Sequence, residues 1–210
     1  MTSSLNAFLT IALKPAVTTT LGNVTDPSSV TIAPGAAATA ADAFTFQTSS
    51  GTDTITDVTV GLGTGAAVGL GLVEITNDAG TTVYGSVTNP ASDTPTITLS
   101  TNTLSATITL TTYRIRITPY SHVAMPAPAG ATYTVTAKIN SWTSTNTKLG
   151  SDTAGTTITI DNLSSGDVTA ATGTAGDGQV ALSWTNPADT STAFILVLRD
   201  TTAVVTPVEG

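Results

Sequence analysis

Apolar and polar residues alternate with a period of two through most of this chain, and no stretch carries a persuasive helical spacing of its apolar positions. Tyr113, Ile115 and Ile117 alternate with Arg114 and Arg116, and Tyr133, Val135, Ala137 and Ile139 alternate with polar neighbours. A strand sends successive side chains to opposite faces, so each run of this kind predicts a strand with one buried face. Strands are expected at residues 30–32, 44–48, 54–62, 72–76, 82–87, 96–100, 107–118, 132–142 and 156–160. A bulge is expected in the third of these, where Ile55, Val58 and Val60 depart from strict alternation. Turn chemistry separates the runs: Asp26-Pro27, Pro34-Gly35, Asn77-Asp78-Ala79-Gly80 and Asn89-Pro90. Many short strands punctuated in this way predict an all-β, antiparallel sandwich rather than an α/β fold.

The two ends of the chain stand apart from this pattern. Near the start, Leu5, Ala7, Leu9, Ile11 and Leu13 fall at period two, and Lys14-Pro15 closes the run because proline cannot donate to a ladder. Two readings follow: a first strand of the chain's own sandwich, or a strand donated to a neighbouring subunit. The same stretch lacks a basic leading region, so it is not expected to be an intact signal peptide. Near the other end, a linker over residues 161–167 precedes Asp177-Gly178 and the run Val180-x-Leu182-x-Trp184-x-x-Pro187.

That run resembles the opening strands of a fibronectin type III domain, and the likeness covers about residues 167–210. The resemblance implies a first strand, a turn at Asp177-Gly178, a second strand whose Val180, Leu182 and Trp184 face inward, a turn at Asn186-Pro187 and a third strand at Ala193–Arg199. The preceding part is similar, in general terms, to the Ig-like sandwiches of bacterial surface proteins. The expected organisation is therefore an N-terminal extended segment at 1–21, an Ig-like β-sandwich at 22–163, and a partial fibronectin type III-like unit at 164–210. A domain of that family needs about seven strands, whereas about three can be read here. Such a half-sandwich would expose its apolar face and its strand edges. Completion could come from further chain, from the first domain, or from another copy. The last reading assigns an interface to Leu5, Leu9, Ile11 and Leu13 on one side and Val180, Leu182 and Trp184 on the other.

Composition narrows the function classes. Only 10% of the 210 residues are charged, and the formal net charge is −8 with six Lys and Arg in total. A nucleic-acid binder needs clustered cations to displace counterions from phosphates, and an anionic membrane surface makes the same demand. Neither partner is expected. Cysteine is absent, which removes disulfides and thiolate chemistry from consideration. No apolar run approaches the 18 residues of a membrane-spanning helix.

Candidate chemistry is sparse. The one histidine, His122, lies in a proline-rich stretch, and no Gly-x-Ser-x-Gly elbow accompanies it. Gly61-Leu-Gly-Thr-Gly65 has the glycines of a phosphate loop without its lysine. Asp152, Asp161, Asn162 and Asp167 gather around the expected domain junction, where oxygen donors could take calcium; no other cofactor is expected. Arg114 and Arg116 should share a sheet face, either paired with carboxylates or forming a small anion patch. Trp142, Tyr120 and Tyr133 are the only neighbouring aromatics that could stack on a sugar ring. The chain is expected to be a non-enzymatic structural or adhesive protein outside the cell or on its surface, a filament subunit joined by strand addition to copies of itself. The alternatives are a carbohydrate-binding accessory module of a secreted enzyme and a virion decoration protein.

Overall fold

The computed structural model of the chain describes residues 14–125, 132–163, 168–187, 195 and 197. In chain order its strands are β1 (Thr18–Asn23), β2 (Val30–Ile32), β3 (Thr39–Thr48), β4 (Thr52–Ile55), β5 (Asp57–Gly61), β6 (Leu70–Asn77), β7 (Val83–Thr88) and β8 (Thr96–Thr98). There follow β9 (Leu104–Thr107), β10 (Thr111–Pro119), β11 (Thr132–Val135), β12 (Lys138–Thr143), β13 (Thr147–Gly150), β14 (Ile158–Asp161), β15 (Thr169–Gly176) and β16 (Gln179–Thr185). The helical content among the described residues is two single 3-10 turns, Ala67–Gly69 and His122–Ala124. The fold is an all-β sandwich, as the alternation predicts.

One sheet has six strands in the order β13-β1-β3-β10-β6-β7, and it is opposed by the smaller sheets β12-β5-β8, β11-β14-β2 and β4-β9. Pairing is antiparallel except where β13 joins β1 and where β14 joins β2. The parallel β13–β1 pair places an exposed strand at the sheet's edge, and the chain must cross over to reach it.

The core lies between these layers. Phe44 and Phe46 of β3 meet edge to face with centroids 5.6 Å apart, and Phe44 stacks on Tyr113 of β10 at 5.8 Å. Val58 and Val60 of β5, Ile75 of β6, and Ile115 and Ile117 of β10 are fully buried around them. On β10 the alternation read from the sequence is realised, with Tyr113, Ile115 and Ile117 inward and both arginines half-buried on the other face. The turn at Asn77–Gly80 also forms as expected. Asn77 Oδ1 accepts from Thr81 and Thr82 N–H, and Gly80 takes a φ of +71°, open to glycine without strain.

Three long strands are divided. The 54–62 run breaks at Thr56, whose N–H and carbonyl bond to Thr143 and Leu99 instead of continuing one ladder. The 107–118 run is broken near its start, where Thr107 ends β9 in one sheet and Thr111 begins β10 in another, and the 132–142 run splits at Thr136, whose N–H donates to Leu62. Such corners let one stretch of chain serve two layers. Strand β1 was not expected, and a boundary at 21/22 cuts through it: residues 18–23 lie inside the six-stranded sheet, between β13 and β3.

Candidate functional site

Two places combine unusual chemistry with unusual burial. The first is the hairpin β15–β16. Its turn is Asp177-Gly178, with Gly178 at a φ of +67°, and its register runs from Gly176 opposite Gln179 to Thr169 opposite Thr185. Alternation puts Val180, Leu182 and Trp184 on one face, and these are 62%, 53% and 39% exposed. Leu182 and Trp184, with Val168, Ala171, Ile195 and Val197, line an open depression of about 350 Å³. Trp184 Nε1–H donates to Asn186 Oδ1 at 2.8 Å, so the indole is held over this face by its own turn. The fibronectin type III resemblance implies the inward face of a sandwich here; among the described residues no second layer covers it.

The proposed partner stripe, Leu5, Leu9, Ile11 and Leu13, lies outside the described residues, as do Asp167 and, apart from Ile195 and Val197, the expected third strand at Ala193–Arg199. The remaining calcium candidates have different partners. Asp152 is buried and accepts the Ile139 and Thr153 N–H groups at 2.7 and 3.0 Å. Asp161 accepts from Leu163 N–H, and Asn162 Oδ1 meets His122 Nδ1 at 2.9 Å. Among the described residues no three His, Asp or Glu side chains are grouped to hold a metal.

The second place surrounds Asp42, which is not among the sequence candidates. Asp42 lies opposite Ile115 in the β3–β10 register and is completely buried on the core face that also carries Phe44 and Phe46. Neither of its carboxyl oxygens receives a hydrogen bond from a donor group. The polar groups facing it are two further carboxyls, Asp152 and Asp26. Asp26 Oδ1 accepts the Ala43 N–H at 3.2 Å, which fixes the connector after β1 against β3. Turned so that its nitrogen faces Asp152, the Asn23 amide donates to Oδ1 at 2.9 Å. Burial first, then the charges of Asp152 and Asp26, push the Asp42 carboxyl up to about 9. Burial also raises Asp152, against the opposing pull of the Ile139 N–H. The signal was present in the sequence: in Ala40-Ala-Asp-Ala-Phe44 an aspartate stands at period two from Phe44 and Phe46, on the face that must be buried.

The other candidates have structural partners. Arg114 pairs with Asp78 at 2.7 Å, and Arg116 donates to the Gly80 and Ala38 carbonyls, so both guanidinium groups tie the β6–β7 turn and β3 to β10. Trp142 is 8% exposed, packed 5.7 Å from Phe46, and Lys148 Nζ sits 5.7 Å from its ring centroid. Its faces are occupied from within the chain, which removes it as a surface for sugar stacking. Tyr120 and Tyr133 are partly buried against the same core.

No family model matches the chain, and no curated protein matches it.

Proposed function

We propose that this chain is a non-enzymatic structural or adhesive module, displayed outside the cell or on its surface, which joins copies of itself by strand addition at the C-terminal hairpin. The observation that carries the reading is the exposed apolar stripe of Val180, Leu182 and Trp184 on a two-stranded sheet. An isolated hairpin is marginal in water, and it gains stability when a third strand or a packed layer covers its apolar face. Both strands of the hairpin also offer a free edge among the described residues.

The proposed occupant is the N-terminal segment of a neighbouring copy. Leu5, Leu9, Ile11 and Leu13 repeat at the strand period, and the segment's nine residues match the seven and eight residues of β16 and β15. A contact between one copy's beginning and the next copy's hairpin is head-to-tail, and such heterologous contacts propagate into a fibre unless they close a ring. A threonine-rich surface with few charges suits this role, because β-branched side chains favour pleated strands. The likeness of residues 167–210 to a fibronectin type III unit supports it further, since modules of that family serve as spacers and adhesive units.

Deletion of residues 1–14 tests the reading. Light scattering should show that the shortened chain is monomeric under conditions where the full chain associates, and at a dilution where both are monomeric the two should melt at the same temperature. A shortened chain that still associates contradicts the proposal. So does one that melts well below the full chain at a dilution where both are monomeric, because the segment then belongs to its own sandwich.

A further inference from the structure

Asp42 poses a problem that the assembly reading does not address. An ionised carboxylate cannot remain in a protein interior without donors, because desolvation without compensation costs several kcal/mol, and the group neutralises instead. Asp42 is fully buried and both of its oxygens lack a donor. It is aimed at Asp152, whose oxygens already accept the Ile139 and Thr153 N–H groups, and at Asp26, which accepts from Ala43. Two bare carboxylates can only accept hydrogen bonds, so the contact becomes favourable only when a proton lies between them.

We propose that Asp42 carries a proton in the folded protein and through it donates a hydrogen bond to Asp152, forming a pH-operated clasp between β3 and the segment that follows β13. Asp26 acts as the neighbouring negative charge that keeps the proton on the pair. No cation facing the cluster offsets it among the described residues. On β10, Arg114 and Arg116 flank Ile115, the residue opposite Asp42, so they lie on the other sheet face and bind Asp78 and the Gly80 and Ala38 carbonyls. On β12, Lys138 is exposed, while β1 presents the neutral Asn23. The clasp joins four parts of the chain. Asp42 contributes from β3 and Asp26 from the connector after β1, while Asp152 reaches from its loop to the backbone of β12. Removing the proton places a second negative charge against Asp152 inside the sandwich.

The direction of the effect follows from linkage. A carboxyl raised in the folded state stabilises the fold fully below its unfolded value near 3.8, and that stability is lost progressively as pH rises through the folded value of about 9. The full chain and its Asp42→Asn variant should be unfolded with denaturant at pH 5, 6, 7 and 8. One proton released on unfolding means that the ratio of unfolding constants, full chain over variant, rises about tenfold per pH unit. A ratio independent of pH overturns the proposal. Carbon-13 NMR of the unsubstituted protein gives a readout that needs no variant. The Asp42 carboxyl carbon should resonate as a protonated acid at pH 7 and titrate in the alkaline range, and a carboxylate signal at pH 7 overturns the proposal. A chelator that lowers the melting temperature of the unsubstituted protein at pH 7, but leaves the variant unaffected, also overturns it, because a divalent cation then occupies the cluster.

Discussion

Thr19 Oγ1 donates to Asp53 Oδ2 at 2.6 Å, and both residues are buried. The bond joins β1 to β4, strands that belong to different sheets. Asp53 Oδ1 also receives the Thr145 N–H and hydroxyl at 3.2 and 2.8 Å, and Asn146 Nδ2 donates back to Thr19 at 3.1 Å. One carboxylate thereby ties the first strand, the fourth strand and the turn before β13. Asp53→Ala would leave the Thr19 and Thr145 donors without their acceptor, and a loss of about 1–3 kcal/mol is expected in denaturant unfolding.

The same carboxylate predicts an acid arm of the stability profile. Burial pushes Asp53 up, but the hydrogen bonds from Thr19 and Thr145 outweigh it and hold the group below the ordinary carboxylate range. A depressed carboxyl contributes stability above its unfolded value near 3.8, and that contribution disappears as pH falls through the folded value. Melting temperatures below pH 4 should therefore drop more steeply for the unsubstituted chain than for Asp53→Ala.

Trp142→Ala removes a ring packed against Phe46 with 8% of its surface exposed. Large aromatic truncations in a core cost about 3–5 kcal/mol, so the variant should melt far below the parent. Its circular dichroism should report lost tertiary packing before any ligand is added.

The ion pair of Arg114 and Asp78 should matter little. The two side chains are 26% and 58% exposed, and pairs of that kind contribute at most about 1 kcal/mol. Asp78→Ala is expected to shift the denaturation midpoint only slightly, and less still in high salt.

Gly150 closes β13 with a φ of +77°, and a Cβ there would meet the Leu21 carbonyl oxygen across the parallel pair. Both the backbone angle and the contact resist a side chain. Gly150→Ala should cost about 1–3 kcal/mol and should raise hydrogen exchange at residues 147–150 selectively, because an exposed edge strand is the first to open.

What could be read from the sequence depended on contrast between neighbouring residues. Strand β10 was legible because Arg114 and Arg116 stand out between Tyr113, Ile115 and Ile117, and the β6–β7 turn because Asn77 to Gly80 has one strong interpretation. Strand β1 was not legible: Thr18, Thr19 and Thr20 are alike to an alternation test, although Thr19 is buried and Thr20 exposed. Strand β13 is exposed along its whole length, so burial leaves no trace in its sequence. Its parallel pairing with β1 is a property of the crossover and not of local pattern. At the carboxyl cluster, Asp152 is legible as a candidate from its neighbours in sequence, whereas its partners Asp42 and Asp26 come from 110 and 126 positions earlier. Only the fold brings them together.

The exposed face of Val180, Leu182 and Trp184 is the proposed seam between copies. Negative-stain electron microscopy of the purified full chain tests this directly, with Leu182→Asp as the comparison. Regular fibres from the full chain, lost in the variant while its circular dichroism still reports the folded sandwich, are the predicted result. A full chain that stays monodisperse and monomeric at every concentration examined would contradict it.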